Sequence, residues 1–298
     1  MTRSVHRWTT AAAAALVAAG VLAGGSAAAA APAPDAAPRR IVCFIPAVTQ
    51  MLFAIGAGPQ VVAVGAYDHD PPAVNALPRV GGLLDPDTER ILAMRPDLVI
   101  VYDGQSALEE RLARAGVPMF RYRHGDLANV TATMRTLGRA VGRAVEADAL
   151  ASGLERRLAA IAARVAGRPR PLTLLVLGRE PNSLQNIYAS GGYGFLHDML
   201  VTAGARDMLD DVKRESVQVS TEMVLARRPD AIVELQYGDG ASLSTGDDLS
   251  PWRALSSVPA VKSGRLYRLV GDEFVEAGPR LGDATEKLSR LLQPEAWK

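Results

Sequence analysis

The chain carries a single cysteine, Cys43, in 298 residues, so no disulfide can form within it. Cys43 lies in the apolar run Ile41–Ile45, where a buried, inert thiol is expected. Pro32, Pro34, Asp35, Arg39 and Arg40 separate it from the apolar N-terminus, which argues against a lipid-bearing cysteine. Histidine is also scarce. Beyond His6 there are only His69, His124 and His197, and no Cys/His spacing of a zinc site. There is no G-x-S-x-G nucleophile elbow and no phosphate loop with its lysine. Gly56-Ala57-Gly58-Pro59 lacks the third glycine and the preceding strand of a dinucleotide-binding turn, and reads as a helix cap. Strong charge of either sign is missing too. Of 33 basic and 32 acidic residues, Arg3 and Arg7 fall in the first stretch and leave 31 against 32. That balance gives no reason to expect nucleic acid or an anionic membrane as partner. Past residue 34 no run is long enough to cross a bilayer.

The N-terminus itself has the pattern of a cleavable export signal. Arg3 and Arg7 form the positive region, Thr9–Gly25 the Ala-rich apolar region, and Ser26–Ala31 the small residues before a cut. Cleavage after Ala31 delivers residues 32–298 to the periplasm. An uncleaved anchor is the alternative reading of the uncharged run from Trp8 to Pro34.

The remainder alternates apolar strand patterns with helical ones. Strands are expected at Ile41–Ile45, Val61–Val64, Leu98–Val101 and Pro118–Tyr122. Helices are expected at Thr49–Ile55, Asp87–Met94 and Ser106–Ala115, the second capped by Asp87 or Thr88. Leu150, Leu154, Leu158, Ile161 and Val165 make one apolar stripe. The spacing predicts a helix of roughly 33 Å, at about 1.5 Å per residue. Beyond it come the strand Leu172–Leu177, a polar loop from Arg179 to Ser190, a helix over Tyr193–Val201, a Gly/Ser/Asp-rich loop over Gln236–Ser250, the strand Leu266–Val270 and the helix Pro279–Leu292. One segment occurs twice. Residues 88–100 and 221–233 share seven of thirteen positions, and three more exchange only Ile and Val. Each copy is a short helix, an Arg-Pro-Asp stop and a buried strand. An offset of 133 is too long for a solenoid, so the repeat points to two similar lobes. The fold expected is α/β, with two Rossmann-like lobes of mainly parallel sheet joined by one long helix and a cleft between the lobes. The boundaries are 1–31 for the signal, 39–144 for the first lobe, 145–167 for the helix and 168–298 for the second lobe, each lobe with its own core.

Strand ends of α/β sheets face the ligand crevice, which puts His69 and His124 within its reach. With Asp68 or Asp126 they could hold a metal, although loop histidines are more often simply solvated, and no protein-metal site and no cofactor is expected. His197 falls in an amphipathic helix and reads as structural. Gly191-Gly192-Tyr193-Gly194 before a helix could cradle an anion. Glu89 and Glu222, the paired acids of the repeat, favour their helix dipoles. As a symmetric pair they could also dock on two arginines of a symmetric partner.

Together these features resemble the helical-backbone substrate-binding proteins of ABC importers, a family that takes up vitamin B12, ferric siderophores and haem and includes TroA-like metal binders. The resemblance spans nearly all of the chain after the signal. It is carried by Ile45-Pro46-Ala47-Val48-Thr49, Gly65-Ala66-Tyr67-Asp68-His69-Asp70-Pro71-Pro72, Val80-Gly81-Gly82, both copies of the repeat, Val258–Tyr267 and Pro279-Arg280. The closest pattern is that of the vitamin B12 binders. It implies that Glu89 and Glu222 dock on the permease dimer, and that Tyr67 and Asp272–Glu276 face the ligand. It departs at Leu83, where those proteins have Trp, at Glu276, where they have Arg, and along the loop Arg179–Tyr188. The implied function is a monomeric periplasmic solute-binding protein with no chemistry of its own. Its ligand is cobalamin or a related corrinoid, the alternative being a ferric siderophore or haem. Tyr67 is a candidate ligand for haem iron, while Arg123 and Arg179 are candidate cations for a siderophore, opposed by Glu180, Asp272, Glu273 and Glu276. Tyr67, Leu83, Tyr188, Trp252 and Phe274 are expected to contact the ligand, with Asn186, Asp272 and Glu276 as polar contacts, although Trp252 could equally be core. An exported two-lobed enzyme is the rival class, disfavoured by the missing nucleophile, metal cluster and phosphate loop.

Overall fold

The first sheet is built from short β-branched runs. In this computed structural model, which describes residues 37–238 and 249–298, β1 (Ile41–Cys43) leads into α1 (Pro46–Ala54). The helix opens three residues before the expected Thr49 because Pro46 occupies its first turn, where a missing N–H costs nothing. β2 (Val61–Val64), α2 (Thr88–Ala93), β3 (Leu98–Tyr102), α3 (Ser106–Arg114) and β4 (Met119–Tyr122) follow. Asp87 caps α2, accepting from the Arg90 amide at 2.9 Å. The strands lie in the order β2-β1-β3-β4, all parallel.

α4 (Leu127–Ala140), capped by Asp126, turns directly into α5 (Ala144–Val165), the long helix expected over 145–166. The two cross closely. A Cβ on Gly138 would stand 2.1 Å from that of Ala147, so only glycine fits there. Leu154, Leu158, Ile161 and Val165 of the expected stripe are buried, and Leu150 is half-buried.

The second sheet comprises β5 (Leu172–Gly178), β6 (Ile187–Ser190), then after α6 (Phe195–Thr202) the two-residue β7 (Arg206–Asp207) and β8 (Ser216–Val219), then after α7 (Thr221–Arg227) β9 (Ala231–Gln236), and after α8 (Pro259–Lys262) β10 (Leu266–Val270); α9 (Leu281–Leu292) closes the chain. The order is β10-β9-β5-β6-β8, with β7 beside the start of β5. β10, β9, β5 and β7 run parallel, whereas β6 pairs antiparallel with both β5 and β8. β6 corrects the expectation of a loop through Ser190. Ile187 and Ala189 are buried while Tyr188 is exposed, the alternation of a half-buried strand. α6 starts at Phe195 rather than Tyr193 because Gly194 sits at φ 94°, outside helical space. Of the Gln236–Ser250 loop, residues 239–248 lie outside the described residues, as does the 1–31 signal; Gln236 instead completes β9.

The repeat has a shared structural logic. Arg95 and Arg228, equivalent positions, both adopt left-handed backbone, at φ 49° and 52°. A proline then redirects the chain, and the aspartate clamps the neighbouring strand: Asp97 accepts from the Arg39 and Arg40 amides, both at 2.8 Å, and Asp230 from Leu172 N at 2.9 Å.

Residues 37–298 form one compact unit. The expectation of a separate core for each lobe is corrected. One apolar cluster joins the first sheet, α1, α4, α5, α6 and α9 to one face of the second sheet through Leu175, Ala231, Val233 and Leu235. A smaller cluster lies on the other face of that sheet, around Trp252. No helix among the described residues is long and apolar enough to cross a membrane.

Candidate ligand cleft

The carboxyl ends of both sheets open onto a cavity of about 370 Å³. Its wall takes His124 from just after β4, Leu177 from β5, Tyr193 and Phe195 from the entry to α6, Glu215 from before β8 and Tyr237 from just after β9. Strand ends are where parallel sheets leave backbone and side chains available to a ligand.

Direct bonds seam the two halves around this cavity. On one side the Phe195 amide donates to the Gly125 carbonyl at 2.9 Å, and the Leu127 amide to Asp198 Oδ2 at 3.0 Å. On the other, the Glu276 carboxyl accepts from Gln50 Nε2 of α1 and from the Tyr237 hydroxyl. Arg280 adds an ion pair to Asp70 at 3.4 Å.

Behind the cavity is an aromatic cluster. The ring centroids of Tyr102 and Tyr122 are each 5.3 Å from that of His124, which stacks on Phe195 at 6.4 Å and 23°. The Tyr122 hydroxyl lies 3.3 Å from His124 Nδ1. Burial lowers the His124 pKa, against the pull of Glu215, so the ring favours its neutral form. Burial raises the phenols of Tyr102, Tyr122 and Tyr237. It also lifts the Glu276 carboxyl to about 7, with Asp272 adding to the rise. Nearby, the fully buried Asp68 is pushed by desolvation to about 6, against the Thr49 hydroxyl, the Gly65 amide, Arg79 and His69. Among the described residues, the cavity wall thus carries two tyrosines and one carboxylate, with Tyr102, Tyr122, Glu276 and Asp68 outside it.

The expected ligand contacts fall into three groups. Tyr67 and Leu83 share a corner of the first half: Tyr67 is 65% exposed, and its ring lies 3.0 Å from where a Cβ of Gly82 would be. Leu83 is half-buried, its carbonyl taken by Gln105 at 2.6 Å. Asn186 and Tyr188 belong to the β6 arm. Asn186 donates to Glu180 at 2.6 Å and accepts from Gln218 at 3.1 Å, while Tyr188 is half exposed. Asp272 accepts from the Gly238 amide at 2.8 Å, and Glu276 closes the seam. Trp252 and Phe274, by contrast, are core. Trp252 is fully buried with its indole donating to Glu234 at 2.6 Å, and Phe274 is 1% exposed. Neither offers surface to a ligand.

Arg179 is likewise turned away. Its guanidinium is buried against Glu234 at 2.6 Å. Arg123 is exposed beside Tyr102, and Glu273 is engaged by Lys287 at 2.6 Å. His69 is exposed; among the described residues no three His, Cys, Asp or Glu are grouped to hold a metal. The Gly191 and Gly192 amides donate to the carbonyls of Glu215 and Val212, which removes them from any anion cradle. The Cys43 thiol is buried and pushed up to about 12 by desolvation, as expected of an inert side chain. Glu89 and Glu222 stand exposed in the first turns of α2 and α7.

Sequence reasoning missed Tyr193, Glu215, Tyr237 and Gln50. For Tyr237 the signal was present: it directly follows an apolar strand, the same criterion that selected His124. For Gln50 there was none, since it sits mid-helix between apolar neighbours.

Known proteins extend the same pattern. Over 268 residues the chain is 26% identical to the ABC transporter substrate-binding lipoprotein YvrC of Bacillus subtilis, covering 88% of this chain and 82% of that protein. Over 259 residues it is 29% identical to the vitamin B12-binding protein of Salmonella typhimurium, covering 86% and 91%. It superposes on the crystal structure of a periplasmic heme-binding protein from Pseudomonas aeruginosa with a TM-score of 0.73 and 26% identity, covering 86% and 93%. The model of the periplasmic binding protein family matches residues 41–272, from the first strand to the start of the acidic segment, and with two sheets opening onto one shared cleft the chain belongs to that family.

Proposed function

We propose that the chain is the solute-capturing component of an ABC importer and that its ligand is cobalamin or a related corrinoid. The observation that carries this reading is the character of the cavity between the halves, walled by aromatic and apolar side chains with a single carboxylate, Glu215, and no lysine or arginine among the described residues. A corrin ring is fringed with amide groups, whose N–H donors suit Glu215 and the Tyr193 hydroxyl. Haem propionates or an anionic ferric catecholate would bring negative charge against Glu215. Tyr237 donates its hydroxyl hydrogen bond to Glu276 and stays a neutral phenol, so it offers the ligand a ring rather than an iron-binding phenolate. A corrinoid is larger than a cavity of about 370 Å³, so the loops bearing Tyr67, Leu83, Asn186 and Tyr188 embrace the remainder. The likeness to a vitamin B12-binding protein at 29% identity supports the same choice.

Haem is the second reading. It is favoured by the likeness to a heme-binding protein and by the half-exposed Tyr193 in the cavity wall, since a tyrosine can ligate haem iron. In either case the signal at 1–31 sends a monomer to the periplasm, and Glu89 and Glu222 dock it on the permease dimer. Calorimetric titration of residues 32–298 with cyanocobalamin, haem and a ferric-siderophore panel tests the choice. Saturable one-to-one cobalamin binding at micromolar or tighter is expected. Silence with cobalamin and binding of haem or an iron chelate replaces the ligand.

A further inference from the structure

Glu276 was expected to touch the ligand, but both of its oxygens are already engaged. One accepts from the Tyr237 hydroxyl at the end of β9, in the second half; the other accepts from Gln50 on α1, in the first half. The residue is 7% exposed, and Gln50 is 5% exposed. The Tyr237 ring, by contrast, is half exposed and lines the cavity. Glu276 therefore sits behind the wall of the cleft and ties that wall to the opposite half.

A carboxyl is a poor choice for a purely structural tie. Burying it costs free energy that an amide of the same shape would avoid. Of the charged groups facing it, Asp272 on its own connection adds to that cost; Glu276 in turn acts on Tyr122 of β4, and Asp68 after β2 acts on Tyr237. The Tyr237 hydroxyl, Arg280 and the Gln50 amide pull the other way, but Arg280 is shared with Asp70 and Glu273, and burial outweighs all three.

We propose that Glu276 is a positioning residue, a proton-sensitive clasp that holds the two halves together and fixes the Tyr237 ring as a wall of the cleft. This rests on the importer reading only for what the cleft binds; the clasp itself is a property of the empty protein. When Glu276 is protonated, its O–H donates to the Tyr237 oxygen, reversing that bond, and its carbonyl oxygen accepts from Gln50, so both legs hold without a buried charge. When it ionises, parting the halves hydrates the charge, so the seam opens more readily. With the closed carboxyl near 7 and an exposed one near 4.5, the opening equilibrium rises about tenfold between pH 6 and pH 8. Closure therefore takes up a proton, and a ligand that needs the closed seam binds more weakly as pH rises.

The test is amide exchange of ligand-free residues 32–298, read as protection factors corrected for the intrinsic rate, over α1 and residues 271–278. Protection in the wild type is expected to fall about tenfold from pH 6 to pH 8. Glu276→Gln mimics the protonated state and is expected to stay protected at both values. Tyr237→Phe and Gln50→Leu, which each remove one leg, are expected to lose protection at both. The same pH profile in wild type and Glu276→Gln, or unchanged protection in both single-leg variants, overturns the clasp. Because no ligand enters this experiment, a cobalamin titration that gives no heat counts against the importer's ligand and leaves the clasp to its own result.

Discussion

Trp252→Phe separates a core tryptophan from a ligand-binding one. The indole is fully buried in the smaller apolar cluster, and its N–H donates to the Glu234 carboxylate at 2.6 Å. Phenylalanine keeps most of the apolar contact but loses the donor and some volume. Glu234 retains Arg179 at 2.6 Å and Arg268 at 3.3 Å, so it is not stranded. The lost charged hydrogen bond then belongs at the low end of its range, about 1.5 kcal/mol. The residual void adds about 1 kcal/mol more. A total of about 2–3 kcal/mol corresponds to a Tm lower by about 5–10 °C for a chain of this size. The assay is paired: thermal unfolding, and cobalamin titration well below the transition. The expected outcome is a large drop in Tm with affinity unchanged within about twofold. A Tm within about 2 °C of wild type together with a tenfold loss of affinity would refute the placement of Trp252 in the core.

Two further outcomes follow from charge. Asp68 is held near 6 against an ordinary 3.8, so the folded chain holds this proton more tightly than the unfolded one. Its stabilising contribution is complete at low pH and is lost as pH rises from about 4 to about 6, on the order of 2–3 kcal/mol. Urea midpoints of the wild type are expected to fall between pH 4.5 and pH 6.5, and Asp68→Asn is expected to flatten that decline; an unchanged slope in the variant would mean another group titrates there. Glu155, held near 2 by Arg135, ionises below this window, whereas Glu276, near 7, titrates across it, so the comparison is made in a Glu276→Gln background. For docking, Glu89→Ala with Glu222→Ala is expected to abolish transport while leaving cobalamin affinity untouched. Intact transport would reduce both acids to helix-dipole partners.

Most of the architecture was legible because it depends on periodicity. β2 and β10 fall where their apolar runs end, and α5 within a residue of its stripe. The misses have physical causes. β6 is four residues long and takes its stability from pairing with β8, a long-range contact that local pattern does not reveal. Trp252 and Phe274 were read as ligand-facing because loop residues are usually exposed, but each lies in a single 3₁₀ turn that folds its ring inward. The cleft was legible as a place, the carboxyl ends of the strands, but its composition was less so. Tyr237 could be taken from its position after β9, whereas the engagement of Gln50 with Glu276 joins residues 226 positions apart.

The repeat would make Glu89 and Glu222 a rigid pair for the docking proposed above. In each copy the left-handed arginine ends the helix, the proline fixes the exit, and the aspartate hydrogen-bonds to the neighbouring strand's first amides. α2 and α7 are thus pinned to their sheets by the same three-residue device, and Glu89 and Glu222 stand one position into each helix. The sheets share one apolar cluster through α1, α4, α5, α6 and α9, so moving one acid relative to the other requires shearing that core. Separating packed apolar surface costs about 25 cal/mol per Å², which makes a large hinge motion expensive compared with a local opening at the seam. A permease that engages both acids would then meet a near-constant spacing whether or not the cleft is filled. What remains to tell it that ligand is present is the state of the cleft itself, which places the burden of signalling on the seam beside Tyr237 rather than on the docking acids.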